Sequence, residues 1–380
     1  MKTIRLLAFF LLAFIFLTVT VPTSYAAFDT EVPSAILIEA TTGEVLYEKN
    51  ADEMRHPASV TKVMTLLLVF EAIDLGKINM QDMVTVSERA ASMGGSQVYL
   101  EVGEVMSVED LIKSVVIASA NDAAVALGEY VSGSENAFVD AMNQKAISLG
   151  MKNTHFDNTN GLDDTTETHL TSSRDIALMS RELIVKYPSV LNYTTLWQDS
   201  IRDGAFVLSN TNKLIRFYDG ANGLKTGFTQ KSGYCISASA KRGELQLIAV
   251  VMGAESSDKR NVAIKEMFDY GFANYTAKTV SPPDAIELPI IGGKCLTCKA
   301  VGEGFHFVME KDKKQEITTE YIIPDNIKAP IYKGDAVGKI VYRMGNEIIR
   351  EENLTVTETV EKMTLIDMLL STLRVYFALT

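Results

Sequence analysis

The apolar and polar positions divide the chain into stretches with different periods. An unbroken apolar run from Leu6 to Leu17 follows Lys2 and Arg5. It gives way to small and polar residues ending in Ser24, Tyr25 and Ala26, so residues 1–26 read as a signal peptide cleaved after Ala26. The run is short for a bilayer span, which argues against a retained transmembrane anchor. Beyond it, residues 34–48 hold two β-branched apolar runs around Thr41, Thr42 and Gly43, the signature of a hairpin.

Helical periods take over next. Pro57 precedes a pattern from Val60 to Ile73, with Ser59 at its start, and proline is favoured in the first turn of a helix. Ser107 with Asp110 three residues on is a capping arrangement for a helix reaching Ile117. Asn121 and Asp122 read as the cap of another helix, Ala123 to Val131, which puts Ser119, Ala120 and Asn121 on the turn between the two. A further helix is expected from Arg174 to Tyr187. Strand patterns return at Asn222–Phe228, Gly233–Lys241 and Leu245–Gly253, followed by a helix from Asp258 to Asn274.

At Ser281, Pro282 and Pro283 the texture changes. Short alternating runs separated by glycine or proline continue to about residue 358, with no helical period, as in a small all-β domain. From Met363 to Leu379 the chain is apolar except for Thr364, Asp367, Ser371 and Arg374, whose steps of three and four draw one polar stripe along a helix. A spanning helix would bury Asp367 and Arg374 at roughly 3 kcal/mol each, so the pattern suits a helix lying on a membrane surface, the alternative being a helix docked on the protein itself. The expected organisation is therefore 1–26 signal peptide, 27–277 mixed domain, 278–358 small β-rich domain and 359–380 amphipathic membrane-associating helix.

Composition narrows the partners. Lys plus Arg number 36 against 48 for Asp plus Glu, an acidic balance that argues against nucleic acid. Three cysteines, Cys235, Cys295 and Cys298, cannot build a disulfide framework. Cys295 and Cys298 form a lone CxxC, open to a local disulfide or two free thiols, and without a second ligand pair it is poor evidence for zinc.

Candidate chemistry begins with Ser59, Val60, Thr61 and Lys62. On a helix the i and i+3 positions share a face, so the lysine amine can reach the serine hydroxyl. Alone this pattern arises often by chance, but Ser119-Ala120-Asn121 and Lys225-Thr226-Gly227 follow in order, the last at a strand edge. A serine hydroxyl needs an adjacent base, and a lysine can serve only when its amine is neutral. Burial and the positive charge of Lys225 would both push Lys62 in that direction. Other chemistries lack their markers: the four histidines, at 56, 155, 169 and 306, accompany no GxSxG elbow, HExxH is absent, and no cofactor or metal is expected.

The ordered set SVTK, SAN and KTG resembles the penicillin-binding serine acyltransferases, and more closely their low-molecular-mass D-alanyl-D-alanine carboxypeptidases. The closer likeness lies in EKNADEMRHPASVTK, NTNGLDD, SSRDIA, GLKTGFT and APIYKGDAVGKIVY, and it spans essentially the whole chain after the leader. It implies an α/β (α+β) penicillin-binding and serine β-lactamase-like transpeptidase domain, an antiparallel sheet with a helical cluster, followed by a small C-terminal β-domain and terminal helix. It also implies roles. Ser59 would form an acyl-enzyme, Lys62 would be the base, Ser119 would relay a proton to the leaving amine, and Asn121 would hold the substrate amide and orient Lys62. Lys225, Thr226, Gly227 and Thr229 would line the opposite wall, Arg260 would either approach the substrate carboxylate or be a surface charge, and the N–H groups of Ser59 and Phe228 would form the oxyanion hole. The implied substrate is a peptidoglycan stem peptide ending in D-Ala-D-Ala, with β-lactam antibiotics as acylating inhibitors. The implied location is the outer face of the cytoplasmic membrane, in vegetative or spore wall maturation.

Two alternatives stand beside this reading. A serine β-lactamase shares the three motifs, and Glu167 in ETHLT is a near miss to its deacylating base, but those enzymes usually carry SDN and lack the β-domain and terminal helix. A non-catalytic exported wall-binding protein would have no reason to keep Ser59, Lys62, Ser119 and Lys225 together.

Overall fold

The computed structural model describes residues 28–312 and 316–378, so the signal peptide expected over residues 1–26 lies outside the described residues. The hairpin expected near the start forms from β1 (Ser34–Glu39) and β2 (Val45–Lys49). A 3-10 turn over Ala58–Thr61 leads into α1 (Lys62–Asp74), followed by α2 (Val108–Ile117), α3 (Asn121–Ser132), α4 (Glu135–Ser148) and α5 (Ser173–Lys186). The three expected strands are β3 (Ala221–Thr229), β4 (Gly233–Arg242) and β5 (Leu245–Ala254), and α6 (Ser257–Asn274) closes this part of the chain.

The five strands make one antiparallel sheet in the order β2-β1-β5-β4-β3. β1 and β5 are apolar almost throughout because both faces are covered. On one face Gly271 of α6 lies against Leu37 and Leu247, so close that an added Cβ would come within 2.6 Å of Leu247. On the other, Ser180 of α5 meets Ser237 of β4 at 2.7 Å between hydroxyls, and the helical cluster buries Ile36, Ile38, Ile248 and Val250. β3 is left as the edge strand on the helical side.

The cap expected at Ser107 is made, and other serines act in the same way. Ser107, Ser172 and Ser256 each accept from a backbone N–H three residues on. The cap expected at Asn121 and Asp122 is not made: Ala120 is the N-cap with no side-chain hydrogen bond, and both polar residues lie inside the first turn. Tertiary partners have taken them, since the Asp122 carboxylate accepts from the N–H of Val98 and Leu100 at 3.0 and 3.1 Å and Asn121 turns to Lys62. α4 was absent from the sequence expectations, although Ser134 caps it by accepting from Ala137 N–H.

After α6, β6 (Tyr275–Val280) starts a β-rich region of β7 (Ile286–Ile291), β8 (Thr297–Val301), β9 (Phe305–Glu310), β10 (Ile317–Ile322), β11 (Ile327–Lys328), β12 (Ala336–Met344) and β13 (Glu347–Val356). β6 pairs with β9, and the other six strands form a sheet in the order β10-β12-β13-β8-β7-β11. This sheet has its own core, with Ile340, Tyr342, Leu354 and Val356 at its centre. Cys298 is buried there, Cys295 is exposed, and both are free thiols, as is buried Cys235. The terminal helix, α7 (Leu365–Ala378), starts at Thr364, whose hydroxyl accepts from Asp367 N–H. Of its expected polar stripe, the Ser371 and Arg374 side chains lie outside the described residues. No helix of the described residues is long and apolar enough to cross a membrane.

Candidate active site

Ser59 sits, half-buried, in the 3-10 turn rather than in the α-helix proper. Positions i and i+3 eclipse in that geometry. The Lys62 amine consequently lies 2.9 Å from Ser59 Oγ.

That turn is clamped by distant backbone. Arg55 and Thr171 exchange backbone hydrogen bonds at 2.7 and 2.9 Å. His56 Nδ1 lies 3.1 Å from the His169 carbonyl, a contact across 113 residues of chain. Ala58 has a left-handed φ of 48°, and Gly161, at φ +88°, is pressed against its carbonyl. A Cβ at Gly161 would fall 1.8 Å from Ala58 O, so only glycine fits. Left-handed alanine costs about 1–2 kcal/mol and persists where packing over-determines it.

Lys62 is fully buried, with its amine 2.6 Å from Asn121 Oδ1 and 2.9 Å from the Asn160 carbonyl as well as near Ser59. Among the described residues no carboxylate lies within ion-pairing distance of it. Burial first, and the Lys225 charge second, hold its pKa well below the ordinary lysine value. A neutral amine has two N–H groups and one lone pair. It can donate to Asn121 and Asn160 and accept the Ser59 hydroxyl proton. Asn121 is fixed in the matching orientation because its Nδ2 donates to Gly94 O at 2.7 Å.

Ser119 precedes Asn121 on the turn between α2 and α3, buried and at φ 64°. Across from it, β3 passes so close to the nucleophile turn that a Cβ on Gly227 would meet Pro57 O at 2.9 Å and Ser59 N at 3.0 Å. Phe228 follows, its ring half-exposed and stacked on Tyr234 with centroids 4.3 Å apart. Lys225 is buried, donates to Thr226 O at 2.8 Å, and is pushed down to about 7 by burial and by the Arg260 charge. Thr226 donates to Thr211 at 2.8 Å, and Thr229 donates to Asp163 at 2.5 Å.

Arg260 is 5% exposed, so the surface-charge alternative for it does not hold. Its guanidinium donates to Asn261 Oδ1 and to the Cys235 carbonyl, and no carboxylate of the described residues pairs with it. Glu167, the near miss to a deacylating base, is 79% exposed and bound to Lys231 at 2.6 Å.

Sequence reasoning missed Asn160, Gly161, Gly94, Thr211 and Asp163 as parts of this site. Asn160-Gly161 is a turn dipeptide, a signal for backbone conformation that does not say what the turn will touch.

A serine–lysine pair set between the edge of a five-stranded antiparallel sheet and a helical cluster defines a serine acyltransferase of the penicillin-binding kind. The comparisons with known proteins make this specific. Residues 20–256 match the D-alanyl-D-alanine carboxypeptidase family, and residues 299–362 match the C-terminal domain of penicillin-binding protein 5. The chain is 43% identical over 339 residues to D-alanyl-D-alanine carboxypeptidase DacF of Bacillus subtilis, covering 87% of this chain and 86% of that one. It is 34% identical over 364 residues to D-alanyl-D-alanine carboxypeptidase DacC of Escherichia coli, covering 91% and 90%. The solved structure of penicillin binding protein 5 from Haemophilus influenzae superposes with a TM-score of 0.77 at 31% identity, covering 88% of this chain and 98% of that one. The chain belongs to the D-alanyl-D-alanine carboxypeptidase family, a family of serine hydrolases.

Proposed function

We propose that this protein removes the terminal D-alanine from peptidoglycan stem peptides through a Ser59 acyl-enzyme, and that β-lactams acylate the same serine. The reading rests on one observation: a fully buried Lys62 amine, without a carboxylate partner among the described residues, 2.9 Å from the Ser59 hydroxyl. Lys62 takes the Ser59 proton as Oγ attacks the penultimate carbonyl, and the oxyanion is held by the N–H groups of Ser59 and Phe228, one such donor contributing about 3 kcal/mol. Ser119 passes a proton to the departing D-alanine amine while Asn121 holds the substrate amide. Water then cleaves the ester and restores Ser59. Lys225, Thr226, Thr229 and Arg260 receive the substrate carboxylate, for which buried cations and hydroxyls are suited.

The mature protein begins after Ala26, acts outside the cytoplasmic membrane, and is organised as residues 27–277, 278–358 and 359–380. α7 lies on the membrane surface: Leu365, Ile366, Leu369 and Leu370 are at least half-exposed and supply an apolar face for it.

The test is labelling by a fluorescent penicillin with Ser59→Ala as control, together with mass spectrometry of a pentapeptide ending in D-Ala-D-Ala. Loss of one alanine and a Ser59-dependent adduct are expected. An intact pentapeptide, or an adduct surviving Ser59→Ala, would sink the assignment. Normal penicillin acylation in Lys62→Arg would remove lysine as the base.

A further inference from the structure

One buried histidine takes no part in the mechanism above, yet it reaches the nucleophile turn. His169 is fully buried, with its ring edge-on to Phe156 at 5.7 Å. The backbone N–H of Asp157 donates to its Nδ1 at 3.0 Å, which leaves Nδ1 without a proton. The proton of the neutral ring is therefore on Nε2, 2.8 Å from Thr61 Oγ1. Thr61 in turn donates to the Ala58 carbonyl at 2.9 Å. Every proton in this chain has one place to go. It ends on the left-handed residue that precedes Ser59, on the same carbonyl that Gly161 closely approaches.

We propose that His169 is a positioning residue for acylation, holding the Ala58 carbonyl through Thr61 and thereby fixing the direction in which Ser59 presents its hydroxyl to Lys62. The inference rests on Ser59 being the nucleophile. Thr61 is one of the two unspecified positions of the serine–lysine tetrad, and its hydroxyl is the only group in that gap able to tie the turn to another element. Neutrality of the ring is part of the device, because a proton on Nδ1 would face the Asp157 N–H and break the chain. Burial keeps the ring neutral down to about pH 4, against the opposing pull of the Asp157 and Asp163 carboxylates and with help from His56 and His155.

The experiment measures kcat and KM on a D-Ala-D-Ala pentapeptide, and the acylation rate with a fluorescent penicillin, for His169→Phe, Thr61→Val, Thr61→Ser and the His169→Phe/Thr61→Val double variant. Circular dichroism melts establish which are folded, and Ser59→Ala is the control. His169→Phe and Thr61→Val each lower kcat about tenfold or more with KM changed less than about twofold, the double variant falls no further than the worse single, and Thr61→Ser restores wild-type kcat. Nitrogen NMR of ring-labelled histidine shows the Nε2–H tautomer of His169, unprotonated down to about pH 5. Folded variants with wild-type kcat, or effects that multiply in the double variant, overturn the proposal. Should His169→Phe not fold, Thr61→Val against Thr61→Ser decides it, and equal kcat in those two overturns it. A Ser59→Ala protein that still labels would instead overturn the assignment of the nucleophile.

Discussion

Replacing Lys225 with methionine should make the protein more stable and less active. The Lys225 ammonium is buried beside another cation, and its pKa falls from 10.5 to about 7. Between about pH 7 and 10.5 the unfolded chain holds a proton that the folded chain does not, so stability rises with pH across that window and the penalty is fully present below it. The drop corresponds to roughly 5 kcal/mol. Methionine forfeits the hydrogen bond to Thr226 O, worth about 1 kcal/mol, which leaves a gain of about 3 to 4 kcal/mol at pH 6. Urea unfolding followed through Trp197, the single tryptophan, measures it at pH 6 and pH 9. The variant should be ahead at pH 6, lose most of that lead at pH 9, and bind the substrate carboxylate poorly, a stability gain at a functional site. A variant less stable than wild type at pH 6, or a lead that does not shrink with pH, would refute the reasoning that a buried, self-repelling cation is being held here for function.

Three further outcomes follow from the geometry. Gly161→Ala forces a Cβ into the Ala58 carbonyl at a left-handed position, so it should cost about 2 kcal/mol or more and lower penicillin labelling, as read by urea unfolding and gel fluorescence. Glu167→Gln should leave the lifetime of the penicillin adduct unchanged, because Glu167 is exposed and engaged with Lys231; a markedly longer lifetime would revive the β-lactamase reading. Removing residues 364–380 should abolish sedimentation with anionic liposomes and leave pentapeptide cleavage intact, and retained sedimentation would show that α7 is not the attachment.

The serine–lysine spacing, the order of the three motifs, the strands that carry KTG and the Ser107 helix cap were legible in the residues, because each depends on contacts within a few positions or on a repeating period. The pairing of Ser59 with Lys62 is of this kind, set by a single turn. What surrounds that pair is not. The carbonyl that receives a Lys62 N–H comes from Asn160, 98 residues away, and the imidazole on Thr61 comes from 108 residues away. Asn121 looked like a cap by its letter and became a Lys62 ligand because the folded chain brought a better partner within 2.6 Å. Burial of Lys62, Lys225 and Arg260, which depresses all three, likewise belongs to no local pattern. Short-range geometry placed the reactive atoms next to each other, and only packing at long range excluded water and set the charge state on which their chemistry depends.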